Sequence, residues 1–204
     1  MKILVIGATG LTGTIAVRLL LDRKDDVTAF VRGDYDVAGV RVAKGDARDE
    51  KSLVDAVKGQ DAVLSAFGPR GLGKSDIQEV FMRNLTAAMK ANGVKRFVNL
   101  SAWGAGDTRD TLPLVGRIFL KLLLKDLFAD KDRGEKILFA SELDYVNVRP
   151  GRLSNGKARG GVKASLDPKA IKPTPFMARA DLAAFMVDQL RDDTWVRKSP
   201  LIGY

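Results

Sequence analysis

Gly7, Gly10 and Gly13 are the residues whose spacing most directly implies chemistry. They follow a short apolar run, Ile3 to Ile6, and precede a helix-forming stretch, Thr14 to Leu21. Strand, glycine turn and helix in that order make a nucleotide-binding unit. Gly7 permits a tight turn, Gly10 lets backbone approach a pyrophosphate, and Gly13 lets the helix pack close to the sheet. Free N–H groups at the helix start hold the phosphates, with Thr9, Leu11 and Thr12 between the glycines as further cofactor contacts. The triplet alone is a weak signal, and its strand-to-helix setting strengthens it.

Three further sites suit the same ligand. Val31-Arg32-Gly33 closes the second strand, where an acid would bind the ribose 2′-hydroxyl of NAD and an Arg favours the 2′-phosphate of NADP. Arg32 therefore predicts NADP(H), although Asp34 nearby leaves NAD(H) open and a plain surface Arg is the bland alternative. In Gly45-Asp46-Ala47, Asp46 either meets the adenine amino group beside Ala47 or caps the next helix. Ala66-Phe67-Gly68 ends the fourth strand with small residues that leave room for ribose, and Phe67 reads equally as core.

Composition narrows the chemistry further. The chain of 204 residues has no cysteine and no histidine, which excludes disulfides, thiolate metal sites and a Cys nucleophile. It also removes the commonest general base and the commonest transition-metal ligand, so no metal site is expected. Proton transfer is left to Lys, Tyr, Asp, Glu or water. With 46% hydrophobic and 29% charged residues, this is an ordinary soluble composition. No leader and no spanning apolar run is visible, so a cytoplasmic location is expected. The net charge of +9 is uneven: residues 149–179 carry eight basic residues against one acid, Asp167. Such a segment invites an anion or is simply a solvated loop. A nucleic-acid role is disfavoured, because Phe176 is the only aromatic interleaved with those cations.

These residues need a scaffold that brings strand ends together. Strands are expected at Val27–Val31, Val40–Ala43, Asp61–Ala66, Lys95–Leu100 and Leu143–Val148. Helices are expected at Lys51–Lys58, from Asp76 to about Asn92, and from Ala180 to about Arg191, with a Gly/Pro loop at Gly68–Gly73. The alternation predicts an α/β fold: a doubly wound, parallel, Rossmann-like sheet in one domain spanning 1–204. The loop-rich segment 149–179 becomes a small C-terminal substrate cap. Leu112 to Phe128 reads as one apolar helix opened by Pro113, with Arg117, Lys121 and Lys125 as a cationic stripe. It packs over the site, forms a dimer contact, or lies on a membrane surface; monomer and homodimer both stay open. Trp103 either gates the pocket or sits half-buried in a loop.

Taken in order, several motifs resemble one family. They are Gly-Ala-Thr-Gly-Leu-Thr-Gly at 7–13, Val-Arg at 31–32, Gly-Asp-Ala at 45–47, Leu-Ser-Ala at 100–102, Asp130-Lys131, Val148-Arg149-Pro150-Gly151 and Ala178-Arg179-Ala180-Asp181-Leu182-Ala183. Over nearly the whole chain these resemble the atypical short-chain dehydrogenase/reductases with an NAD(P)H-binding domain, and within them biliverdin-IXβ reductase/flavin reductase and NmrA-like proteins. The resemblance implies that Ser101 faces the nicotinamide, that Lys131 holds its ribose, and that Pro150 and Gly151 line the cofactor. The family's catalytic Tyr, four residues before the Lys, is replaced by Leu127, and its histidine after the sixth strand by Arg152. Ser101, Lys131 and Arg152 remain as the catalytic candidates, with Arg152 neutralising an anionic acceptor. The expectation is an NADPH-dependent reductase for a flavin, quinone or similar conjugated small-molecule acceptor. The alternative is a non-catalytic NADP(H) redox sensor.

Overall fold

The computed structural model describes residues 1–69, 71, 74–171 and 176–204. Its apolar runs become the strands β1 (Lys2–Ile6), β2 (Asp26–Val31), β3 (Val40–Lys44), β4 (Ala62–Ser65), β5 (Arg96–Leu100) and β6 (Asp144–Pro150). Short strands β7 (Leu153–Ser154), β8 (Lys163–Ser165), β9 (Met177–Ala178) and β10 (Leu201–Gly203) follow. The main sheet has eight strands in the order β3-β2-β1-β4-β5-β6-β10-β8, parallel except for β8, which runs antiparallel to β10. This is the expected Rossmann-like doubly wound fold. Ile3 lies between Val27 and Ala62, and the strand order turns back at β1, opening a crevice between β1 and β4.

Strands buried on both faces read as unbroken apolar runs because each face meets its own helical layer. Ile3 and Val5 face a core formed with Ala16, Val17 and Leu20 of α1 (Leu11–Asp22) and with Leu182 and Met186 of α6 (Arg179–Asp188). Leu4 and Ile6 face the opposite core, built with α2 (Glu50–Val57), α3 (Ile77–Ala91) and α5 (Lys125–Ala140). Edge strand β3 has no such double cover and is largely exposed.

The apolar stretch 112–128 is two helices rather than one. α4 (Leu114–Leu123) ends at Leu124, whose backbone leaves helical geometry at φ −121° and ψ 12° before α5 begins. Leu120, Phe128 and Ala105 close a small cluster at this corner, and α5 then runs on to Ala140 against α3. Its middle, Asp130 to Lys136, is a charge run that hides the helix from an apolar periodicity. Arg70, Leu72 and Gly73 of the Gly/Pro loop, and residues 172–175 of the basic segment, lie outside the described residues. Among the described residues no helix is long and apolar enough to cross a membrane.

Segment 149–179 is anchored at three places. β7 pairs with β9, β8 joins the main sheet, and Asp181 holds the stretch between them. The Asp181 carboxylate accepts from the N–H groups of Arg159 (2.8 Å) and Gly160 (3.1 Å) and from the Tyr204 hydroxyl (2.6 Å). Burial pushes this carboxyl up, but the Arg159 N–H, the Tyr204 hydroxyl, the Gly160 N–H and the Arg159 charge together hold it below the usual carboxylate range. A depressed folded-state pKa stabilises fully above the unfolded value of about 3.9 and is lost as pH falls through the folded value. Asp181→Asn should therefore cost about 2–4 kcal/mol at neutral pH, because the amide has a single accepting oxygen and turns an NH2 donor toward the remaining N–H or hydroxyl. In urea melts the gap from wild type should close below about pH 4; a gap that ignores pH contradicts this role for the carboxylate.

Candidate functional site

A cleft of about 660 Å³ opens at the C-terminal ends of β1, β2 and β4. Gly7, Thr9, Gly10, Leu11, Arg32, Asp46, Ala47, Ala66, Phe67 and Gly68 all line it. The three glycines differ in what demands them. Gly7 has φ +83°, and a Cβ there would stand 2.8 Å from the Ala66 carbonyl. A Cβ on Gly13 would lie 2.0 Å from the Gly7 carbonyl oxygen, so α1 can approach the turn only without one. Gly10 is ordinary extended backbone at φ −81°, and its Cβ would meet only the Gly7 oxygen, at 3.2 Å. The protein itself asks little of Gly10, whereas a ligand crossing the cleft floor would.

The start of α1 suits an anion. Gly10 is its N-cap, no side chain caps it, and its first turn has no acid. The first internal bond, from Thr14 N–H to the Gly10 oxygen at 2.8 Å, leaves the preceding amides without helical partners. Thr12 and Gly13 are buried behind this turn rather than lining the cleft. The start of α3 is different. Buried Asp130 of α5 accepts from the N–H groups of Gln78 (3.0 Å) and Glu79 (3.2 Å) and thereby closes that helix end.

Arg32 is exposed at the cleft rim, with no hydrogen-bond or ion-pair partner among the described residues. Asp34 instead pairs with Lys44 at 2.6 Å, which holds its carboxyl below the usual range. The Asp46 carboxylate accepts from the Arg48 N–H at 2.8 Å. It does not cap α2; Asp49 does, accepting from the Lys51 N–H at 3.1 Å. Phe67 lines the cleft and also packs on Phe81, with ring centroids 4.7 Å apart.

Ser101 alone among the other candidates bonds a buried carboxylate, Glu135. Glu135, 2% exposed, accepts from Ser101 Oγ (2.5 Å), Asn147 Nδ2 (2.8 Å) and Arg149 Nη2 (2.7 Å). Arg149, also 2% exposed, reaches out to Asp107 at 2.6 Å. Asn147 in turn accepts from Asn99 at 2.8 Å. Glu135 lies one helical turn after Lys131, a spacing visible in the sequence; nothing there pairs it with Arg149 across a strand. A carboxylate can only accept, so the Ser101 hydroxyl hydrogen is committed to Glu135; Ser101, Lys131, Pro150 and Gly151 are not among the described residues that line the 660 Å³ cleft.

Lys131 is half-buried, and its ammonium has no hydrogen-bond or ion-pair partner among the described residues. Burial lowers its pKa, against the opposing pull of Glu135, Asp130 and Asp132. Leu127, one turn earlier, is half-buried. Tyr145 is buried in β6 beside Phe139 and does not stand in for a catalytic tyrosine. The Pro150 oxygen accepts from the Trp103 N–H at 2.8 Å, which ties the loop after β5 to the end of β6, and Gly151 follows half-buried. Trp103 is itself buried, with its indole N–H on Thr111 at 2.9 Å, so it is fixed in place rather than a gate. Arg152 stands apart, exposed and 5.0 Å from the Phe176 ring centroid, with no bond to Ser101, Lys131 or Glu135.

An uncapped helix behind a glycine turn at the switch point of a doubly wound sheet defines a dinucleotide-binding Rossmann protein. Residues 7–193 match the NAD(P)H-binding family, and the chain belongs to that family. It is 29% identical over 203 residues to the uncharacterized sugar epimerase YhfK of Bacillus subtilis, covering 93% of this chain and 88% of the relative. Among solved structures it is similar to the oxidoreductase ylbE of Lactococcus lactis, with a TM-score of 0.84 at 21% identity, covering 99% and 90% of the two chains. It is also similar to ChuY, an anaerobilin reductase of Escherichia coli O157:H7, with a TM-score of 0.81 at 23% identity, covering 99% and 96%.

Removing one partner of a buried ion pair leaves the other charge without compensation. Glu135→Gln should cost about 3–5 kcal/mol in a urea or guanidinium melt. A loss no larger than that of an exposed substitution would mean that Asp107 alone satisfies Arg149.

Proposed function

We propose that the chain is an NADPH-dependent reductase that passes hydride to a flavin, quinone or similar conjugated acceptor. When bound, the nicotinamide supplies a hydride; the protein's own residues bind, orient and exclude. The amides opening α1 hold the pyrophosphate across Gly10. Arg32 takes the ribose 2′-phosphate, for which its guanidinium at the rim, without a partner among the described residues, is suited, while Asp34, occupied by Lys44, does not oppose it. Asp46 and Ala47 meet the adenine, and Ala66 to Gly68 give the ribose room. Lys131 donates to the nicotinamide ribose, and Ser101 accepts from the carboxamide. Pro150 and Gly151 close the nicotinamide end of the site.

The acceptor class rests on one observation: the Ser101 hydrogen is committed to Glu135, with Leu127 standing where a proton-donating tyrosine would be. A ketone needs an acid at the oxygen that becomes an alcohol. A flavin or quinone takes hydride and draws its proton from water, so position and charge suffice. Arg152 lends a positive charge to an anionic acceptor. The reductase named among the similar structures and the NAD(P)H-binding family support this reading. The same missing acid suits a non-catalytic NADP(H) sensor, which would bind cofactor and oxidise none.

Titration with NADPH and NADH, followed by nicotinamide fluorescence and then by addition of FMN, separates these readings. Tight NADPH binding with oxidation on FMN addition is expected; tight binding without oxidation across flavins and quinones moves the assignment to the sensor. Arg32→Ala should weaken NADPH about 10- to 100-fold and leave NADH nearly unchanged. Equal weakening of both would remove Arg32 from the 2′-phosphate site. Gly10→Val should abolish cofactor binding while the chain still folds by far-UV circular dichroism, and retained binding would overturn the glycine-turn assignment.

A further inference from the structure

We propose that α4 docks the protein onto an anionic phospholipid surface. A water-facing helix normally hides its apolar side, and α4 does the reverse. Leu114, Val115, Ile118, Phe119, Leu122 and Leu123 are between 49% and 79% exposed, while Leu120 is buried against Ala105 and Phe128. At 3.6 residues per turn the six exposed side chains cover roughly half of the helix circumference. The helix is about 15 Å long, too short to span a bilayer and suited to lying in its interface.

Charge selects the occupant. From Leu112 to Lys125 there are three basic residues and no acid. Lys121 borders the apolar arc with Arg117 one turn earlier on the same side, and Lys125 opens α5 just past the break at Leu124. Lys121 and Lys125 have no ion-pair partner among the described residues, and Arg117 reaches Asp110 only at 4.0 Å. An apolar arc bordered by unneutralised cations complements acyl chains beneath anionic headgroups. A second copy fits less well, because a two-fold contact sets the same cationic edge on both sides with no acid in the helix to answer it. The helix is firmly seated at its root: a Cβ on Gly104, in the loop leading from Ser101, would lie 2.7 Å from Leu120 Cδ1 and 2.8 Å from Leu112 Cδ1. Docking would thus hold the Ser101 loop near the lipid, where apolar conjugated acceptors partition.

Flotation of the full chain with phosphatidylcholine vesicles, with and without phosphatidylglycerol, tests this without any cofactor, so its failure and that of the reductase assignment are separable. At about fivefold per basic residue, the anionic vesicles should bind on the order of 100-fold more strongly, and high salt should remove the difference. Lys121→Gln with Lys125→Gln should lose about 25-fold of that preference. Phe119→Ser with Leu122→Ser should abolish flotation on either vesicle with unchanged far-UV circular dichroism and melting, since both positions face solvent. No flotation, or equal flotation on both vesicles, overturns the proposal. So does a dimer in sedimentation equilibrium that the Phe119→Ser, Leu122→Ser variant dissociates, which would make the face a contact between copies.

Discussion

A buried carboxylate must find donors for its oxygens or lose its charge, and Glu135 finds them on two strands at once. Its oxygens take Ser101 from the end of β5 and Asn147 and Arg149 from β6, while Glu135 itself sits on α5. One side chain thus fixes how far α5 stands from the sheet and sets the height of the β5 loop relative to β6. Lys131 and Leu127 lie on the same helix at one-turn intervals, so their positions follow from that anchor. Asp130 does the complementary task by closing the start of α3, so that helix pins its neighbour and offers no second anion site. The free N–H groups are left at α1, where the glycine turn can use them.

The same anchor limits the chemistry. A serine whose hydrogen is spent on a carboxylate cannot polarise a carbonyl, and the leucine one turn before Lys131 cannot protonate one. Freeing Ser101 to act as a donor would leave Glu135 one donor short, with only Asn147 and Arg149 left on its oxygens.

The sequence was most legible where one residue type answers one local constraint. The glycine turn, the strands at both ends of the first unit and the alternation of elements all follow from steric needs within a few residues, and the fold repeats them. Arg32 and Asp46 could be placed at the cleft because strand ends in a doubly wound sheet converge there. What stayed hidden depends on partners distant in sequence. The Glu135–Arg149 pair joins a charged helix to a strand, and the charge run Asp130 to Lys136 also concealed the part of α5 after Phe128. Asp46 offered two local readings as cap or ligand contact, and only the observed bond from Lys51 to Asp49 removed the first. Strands β8 and β10 have three residues each, too short for a period, and exist because β6 has an open edge to fill.

The break at Leu124 shows how local pattern and tertiary demand diverge. As an apolar rod, 112–128 would continue straight if burial alone decided its course. α5 must instead turn inward to deliver Glu135 to the strands, so the chain bends where the buried polar network begins. α4 keeps the apolar residues for which the interior has no room. Burying that face on α5 would compete with the junction around Glu135, and making it polar would cost nothing in the core. An apolar face that the fold neither needs nor hides is therefore explained by a surface outside the molecule, and the basic residues along its edge select an anionic one.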